Sequence, residues 1–230
     1  LAWNVRRYVE DLEKTSRLVR CKLKEPSQLD GLMEKSLKEI KNITSVAQLE
    51  EIRSNALHEI SQLNTIEKNE PIKIGIVGEV YIAQEFRVNF NIEKLLGNMG
   101  ILVDNSVSTA EYVLNFFPLT RSREKEEAWK LAKPFLKRFV GGEGIDTVGS
   151  TIRYAQQGFD GVIHLYPFTC MPEAVAKSVV AGVGREYNIP ILHLAIDEHA
   201  GEAGMITRVE AFVDVLEMRR QQNVREASCS

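Results

Sequence analysis

One cysteine and one acidic loop stand out as residues that could do chemistry. Cys170 lies in Pro167-Phe168-Thr169-Cys170-Met171-Pro172-Glu173, between the apolar run Gly161–Tyr166 and a helical stretch with proline in its first turn. A thiol at a helix N-terminus feels the positive end of the helix dipole, which lowers its pKa and favours the thiolate. Such a thiolate can hold a metal or a cluster, or act as a nucleophile; the plain alternative is a buried structural cysteine. Thr169 beside it is a candidate substrate contact. Asp197-Glu198-His199-Ala200-Gly201-Glu202 puts three carboxylates and a histidine within six residues. That set could bind a cation or work as acid and base, with Glu198 and His199 the candidates. It could equally cap the last helix or sit in solvent. Glu79 is either an acid–base group at a strand exit or a solvated loop glutamate. Arg208 could hold an anionic group or pair with nearby carboxylates. His164 and His193 lie inside apolar runs and are expected to be satisfied core or interface histidines.

These residues need elements to position them. Lys73–Val80, Ile101–Val107, Gly161–Tyr166 and Pro190–Ile196 are short runs rich in Ile, Val and Leu, the pattern of buried parallel strands. Helical patterns fall at Asn91–Met99, Thr109–Phe116, Arg123–Val140, Asp146–Gln157, Pro172–Tyr187 and Met205–Arg220, with Gly141, Gly142 and Gly144 in a turn. Alternating strands and helices predict an α/β fold, a parallel-sheet Rossmann-like or flavodoxin-like lobe over 71–230. Ligands of such sheets bind beyond the carboxyl ends of the strands, where Glu79, Cys170 and the Asp197–His199 loop are expected to converge. The first strand exits into Gly78-Glu79-Val80-Tyr81, so the dinucleotide fingerprint and the P-loop are both absent. Residues 1–70 have a different pattern. Apolar side chains recur at helical spacing and predict three amphipathic helices near 2–22, 28–42 and 45–65, with Asp30 and Ser45 as N-terminal signals and Pro26 as a break.

The composition narrows the function classes. The 230 residues carry 29 basic and 32 acidic side chains, a net charge of −3, so no basic excess suggests nucleic-acid binding. No apolar run approaches the roughly 18 residues of a membrane span, and no signal-peptide pattern follows Leu1. Three scattered cysteines, Cys21, Cys170 and Cys229, suit a reducing cytoplasm better than a disulfide framework. A first residue other than Met suggests a fragment whose partner residues lie elsewhere.

Five motifs carry a resemblance. IGIVGEVY (Ile74–Tyr81), GFDGVIHLYPFTC (Gly158–Cys170), PFTCMPE (Pro167–Glu173), IDEHAGEAG (Ile196–Gly204) and TRVEAFVD (Thr207–Asp214) resemble the C-terminal part of the 2-hydroxyacyl-CoA dehydratase component family. The nearest branch is the CoA-substrate-specific enzyme activase-related, or dehydratase D-component-like, proteins. The likeness covers about residues 71–220. It implies an iron–sulfur protein of anaerobic metabolism, in which cysteines from two similar α/β lobes hold a [4Fe–4S] cluster. A separate ATP-hydrolysing activator protein feeds the cluster one electron, and the acyl-CoA thioester becomes a ketyl radical that loses its 2-hydroxyl. Cys170 matches the family's cluster cysteine. The chain departs from the pattern in having Gly141-Gly142-Glu143 where many relatives have glycine-glycine-histidine. A cluster needs about three or four thiolates. This chain alone is therefore expected to bind no stable cluster, with the remaining ligands coming from a missing N-terminal lobe or a partner subunit.

Two other classes remain open. One is a non-catalytic α/β binding or interaction module of a larger activase-related protein, docking a partner through its N-terminal helices. The other is a small-molecule-binding domain that uses the Glu198–Gly204 loop.

Overall fold

A computed structural model describes residues 1–66, 70–114 and 122–228. Cys229 and the last two residues of the expected helix 109–116 lie outside them. The chain divides into two compact units, one of Leu1–Pro71 with Glu93–Asp104, the other of Ile72–Ile92 with Asn105–Ser230.

The first unit is built on three helices, α1 (Ala2–Arg20), α2 (Pro26–Ile40) and α3 (Val46–Ser61). Their apolar stripes meet: Tyr8 and Leu12, Leu29 and Ile40, and Leu49, Ala56 and Ile60 form one buried cluster. Ser45 caps α3 by accepting from the Gln48 N–H at 3.3 Å, and Gln48 reaches back to the Thr44 N–H at 2.8 Å, a reciprocal cap. Asp30 is not an N-terminal signal. Helix α2 begins earlier, with Pro26 in its first turn, where the missing N–H costs little. The Asp30 carboxylate instead takes Arg20 at 2.6 Å and Lys94 at 2.8 Å. Those bonds, with Arg17 on Glu93 at 3.0 Å and Arg20 on Asn98 at 3.2 Å, explain why Glu93–Asp104 joins the helical unit. This unit is therefore larger than residues 1–70.

The sheet has four strands, β1 (Lys73–Gly78), β2 (Leu102–Asn105), β3 (Gly161–Pro167) and β4 (Ile191–Ile196), in the order β2-β1-β3-β4. β1 pairs in parallel with β3, and β3 with β4; Gly75 stands opposite Val162, and His164 opposite His193. This is the α/β architecture expected of a Rossmann-like or flavodoxin-like lobe. The further helices are α4 (Val80–Gln84), α5 (Ile92–Asn98), α6 (Thr109–Leu114), α7 (Arg123–Ala132), α8 (Gly144–Gln156), α9 (Met171–Glu186) and α10 (Glu202–Ser228), of which α5 falls almost wholly in the first unit.

Side chains alternate across a strand, and glycines show which helix covers each face. A Cβ on Gly75 would strike the Tyr154 ring of α8, whereas one on Gly161 would strike Phe212 and Leu216 of α10. Val162, His164 and Tyr166 therefore face α8 and α9. Gly149 lets α8 approach α7: its Cβ would lie 1.9 Å from the Ala128 carbonyl oxygen. Helix α7 stops at Ala132, short of the expected Val140. Pro134 has no N–H to continue the ladder. The first strand ends at Gly78, two residues early, because Val80 already belongs to α4. The second is confined to Leu102–Asn105. Helix α10 runs past the expected Arg220 at its C-terminal end.

Candidate functional site

The order of the strands reverses between β1 and β3. β1 leads outward to β2 on one side, and β3 leads to β4 on the other. In open parallel sheets this switch point leaves a crevice at the carboxyl edge, where ligands bind. Two corners flank it. Gly78, at φ +136°, turns the chain out of β1 with its α-carbon packed on the Leu165 carbonyl, and the Glu79 N–H donates to that same carbonyl at 3.0 Å. On the other side β3 runs out through Pro167, and the Phe168 N–H donates to Ile196 of β4 at 3.1 Å. Cys170 then becomes the N-cap of α9. The Gly141–Gly144 turn lies against this corner: a Cβ on Gly142 would meet Pro172 at 3.3 Å, and one on Gly144 its carbonyl oxygen at 2.8 Å. The N-termini of α8 and α9 therefore come together beside Cys170.

The expected site residues have unequal parts in this arrangement. Cys170 is half-buried at the edge. Its thiol is not lowered in pKa. Burial raises it, and the Glu173 and Glu79 carboxylates raise it further, outweighing the Glu173 N–H that favours the thiolate. The helix dipole is thus overcome by desolvation and two negative neighbours. Glu79 is half-buried and caps α4, its carboxylate accepting from the Ile82 N–H at 3.0 Å. Thr169 is exposed on the loop. Glu198 and His199 are 82% and 86% exposed and stand 3.8 Å apart, while Asp197 accepts from the His199 N–H at 2.9 Å. That is a loop folded on itself at the surface. Arg208 is also exposed and donates to the backbone carbonyl of His193 at 2.7 Å.

Two buried polar clusters lie outside the set of candidates read from the sequence. In the first, Glu173 of α9 is fully buried. Its Oε2 accepts from the Thr147 hydroxyl of α8 at 3.0 Å and lies 2.7 Å from His164 Nε2. Its Oε1 has no hydrogen-bond partner among the described residues. His164 Nδ1 lies 3.0 Å from His193 Nδ1 across the β3–β4 pair. His164 is thus a satisfied core histidine. The only hint in the sequence was a histidine at the centre of each of two apolar runs, GVIHLY and ILHLAI. In the second cluster, Lys125 of α7 is buried and pairs with Glu143 at 3.0 Å and Asp146 at 3.8 Å. Trp129 Nε1 donates to Asp146 at 2.9 Å. Glu143 therefore serves as an ion-pair partner for a buried lysine.

Both clusters set up a pH dependence. Burial, then the charges of His164 and Lys177, hold the protonation of His193 down to about pH 4, against 6.5 in the unfolded chain. The unfolded state binds this proton first, so the group's full stabilisation is present above pH 6.5 and is lost as pH falls towards 4. Asp146 has the opposite sign. Burial, offset in part by Lys125 and reinforced by Glu143, pushes its carboxyl up to about 7 from 3.8. The folded state holds this proton longer, so its contribution is present below 3.8 and is lost as pH rises to about 7. The two slopes oppose each other between about pH 4 and 6.5. Urea unfolding across this window should show Asp146→Asn gaining stability with rising pH and His193→Gln losing it. Parallel profiles for the two variants would contradict the assignment.

No group of three or more His, Cys, Asp or Glu side chains is placed to hold a metal ion among the described residues. Cys170 is the one described thiol at the sheet edge; Cys21 is buried at the end of α1, 3.6 Å from the Leu18 carbonyl. Among the described residues the sheet edge thus offers a single thiolate, one of the several ligand positions an iron–sulfur cluster takes. The helical unit carries a groove of about 230 Å³ between α1 and α3, lined by Tyr8, Leu12, Leu18, Arg53 and Leu57 among others. Among the described residues, no helix is long and apolar enough to cross a membrane. Compared with known proteins, the chain matches no family model and no curated protein.

Proposed function

We propose that this chain is an α/β lobe of a 2-hydroxyacyl-CoA dehydratase-like iron–sulfur protein of the cytoplasm. It acts in radical-type dehydration or low-potential reduction of an acyl-CoA, fed by an ATP-hydrolysing activator. Cys170 contributes one thiolate, and the other cluster ligands come from a second lobe or a partner subunit. The observation that carries this reading is the position of Cys170, half-buried at the switch point and beside two helix N-termini. Phe168 and Met171 on either side are 69% and 76% exposed, an apolar rim suited to closure by another protein surface. The raised thiol pKa is compatible with ligation, since a coordinating thiol loses its proton to the metal.

Co-purification of the chain with the proteins encoded beside its gene, followed by anaerobic treatment with ferrous iron and sulfide, tests this. The assembly should hold about four irons per cluster, lost on Cys170→Ser and kept on Cys21→Ser. An assembly without iron, or one whose iron survives Cys170→Ser, would count against the reading. A second reading, a docking module, is favoured by the α1–α3 groove with its exposed Leu18 and Leu57. In that case Leu18→Asp would abolish co-purification while Cys170→Ser would change nothing.

A further inference from the structure

We infer that His193, His164 and Glu173 form a one-proton relay, in which a proton taken up on His193 Nε2 at the half-exposed end is delivered to the buried His164–Glu173 pair. The contact that requires this is His164 Nδ1 to His193 Nδ1 at 3.0 Å. Two ring nitrogens at that distance share a single hydrogen, so one ring donates and the other accepts. The second contact, His164 Nε2 to Glu173 Oε2 at 2.7 Å, is of charge-assisted length. Together they make a continuous chain of three side chains from β4, through β3, to the first turn of α9. Only the His193 end is reached by solvent, since His164 and Glu173 are both fully buried.

The transfer balances without a redox partner. In the proton-poor state His193 Nδ1–H donates to His164 Nδ1, and His164 Nε2–H donates to the Glu173 carboxylate. An acid in solvent then forms an N–H bond at His193 Nε2, the His193 Nδ1–H bond breaks, and its proton joins His164 Nδ1. His193 is left neutral in its other tautomer, and the charge rests on His164 against Glu173. Loss of the Nε2 proton reverses every step.

The surroundings support a relay that passes the charge inward. Facing His193 are His164 on β3 and Lys177 on α9, and both oppose a second proton on its ring. Arg208 of α10 lies on its backbone carbonyl. Tyr166 stacks on the His164 ring at 4.6 Å and has the Lys177 ammonium 5.7 Å from its own centroid. Glu173, steadied by the Thr147 hydroxyl of α8, is the carboxylate bonded to His164 among the described bonds. The relay requires no metal.

Nitrogen-15 NMR of the full chain tests it, because the two ring shifts of each histidine report its tautomer and charge directly. The chain has only four histidines, so His58→Gln and His199→Gln leave the two of interest assigned. As pH falls, His193 should change tautomer at the same midpoint at which His164 gains its second proton, before His193 itself takes a second proton near pH 4. Glu173→Gln, which keeps the shape and removes the charge, should move this shared transition down by about one pH unit or more. Double protonation of His193 with His164 unchanged, separate midpoints for the His193 tautomer change and the charging of His164, or no change in either ring would each overturn the relay. The wild-type spectra alone decide between these outcomes if Glu173→Gln fails to fold.

Discussion

Replacing Glu173 by alanine is expected to destabilise the α/β unit by about 4 kcal/mol. The carboxylate is fully buried and bonded to both His164 and Thr147. Its removal strands a buried imidazole and a buried hydroxyl and opens a cavity in the α8–α9 face of the sheet. Breaking one side of a buried pair costs much more than the pair itself contributes. The double variant Glu173→Met with His164→Leu should therefore recover at least half of the loss. Glu198→Ala, at a site 82% exposed, should stay within about 0.5 kcal/mol of the parent. Urea unfolding at neutral pH reads all three. A Glu173→Ala cost below about 1 kcal/mol would mean that water replaces the carboxylate and that the cluster is not closed.

The substitution Gly78→Ala should cost about 3 kcal/mol or more. The residue sits at φ +136°, a region that side-chain-bearing residues avoid, and a Cβ there would lie 1.8 Å from the Leu165 carbonyl oxygen. Relief requires β1 and β3 to part at the switch point, next to the corner that carries Cys170. The damage should therefore reach the site as well as the stability, and thiol modification of Cys170 should speed up. Gly182→Ala is the matched control. It lies inside α9 with nothing within 4 Å of its Cβ position, so alanine should stabilise by about 0.8 kcal/mol. Equal effects at the two glycines would show that the close approach at Gly78 is not maintained in solution.

The sequence by itself determined the elements and their class. The apolar runs Lys73–Val80, Gly161–Tyr166 and Pro190–Ile196 each hold a strand, and these strands pair in parallel, because a run of branched apolar residues between helical periods has few other ways to be buried. Ser45 as a cap was equally visible, since a cap acts within a few residues along the chain, whereas Pro26, expected only as a break, stands in the first turn of α2. The same locality misled at Asp30, which looked like a cap and is held instead by Arg20 and Lys94. It misled again at Cys170, where the helix terminus is a local feature but the burial and the two carboxylates that raise the thiol are not. Register decided the rest. His164 and His193 are 29 residues apart and meet because β3 and β4 align them. Thr147 reaches Glu173 because α8 and α9 share one face of the sheet. The buried Lys125–Glu143 pair needs α7 to lie on α8 over Gly149. Such contacts depend on how strands and helices are placed in space. That placement is settled by packing the whole core, so only the tertiary structure could show which polar residues would be buried together.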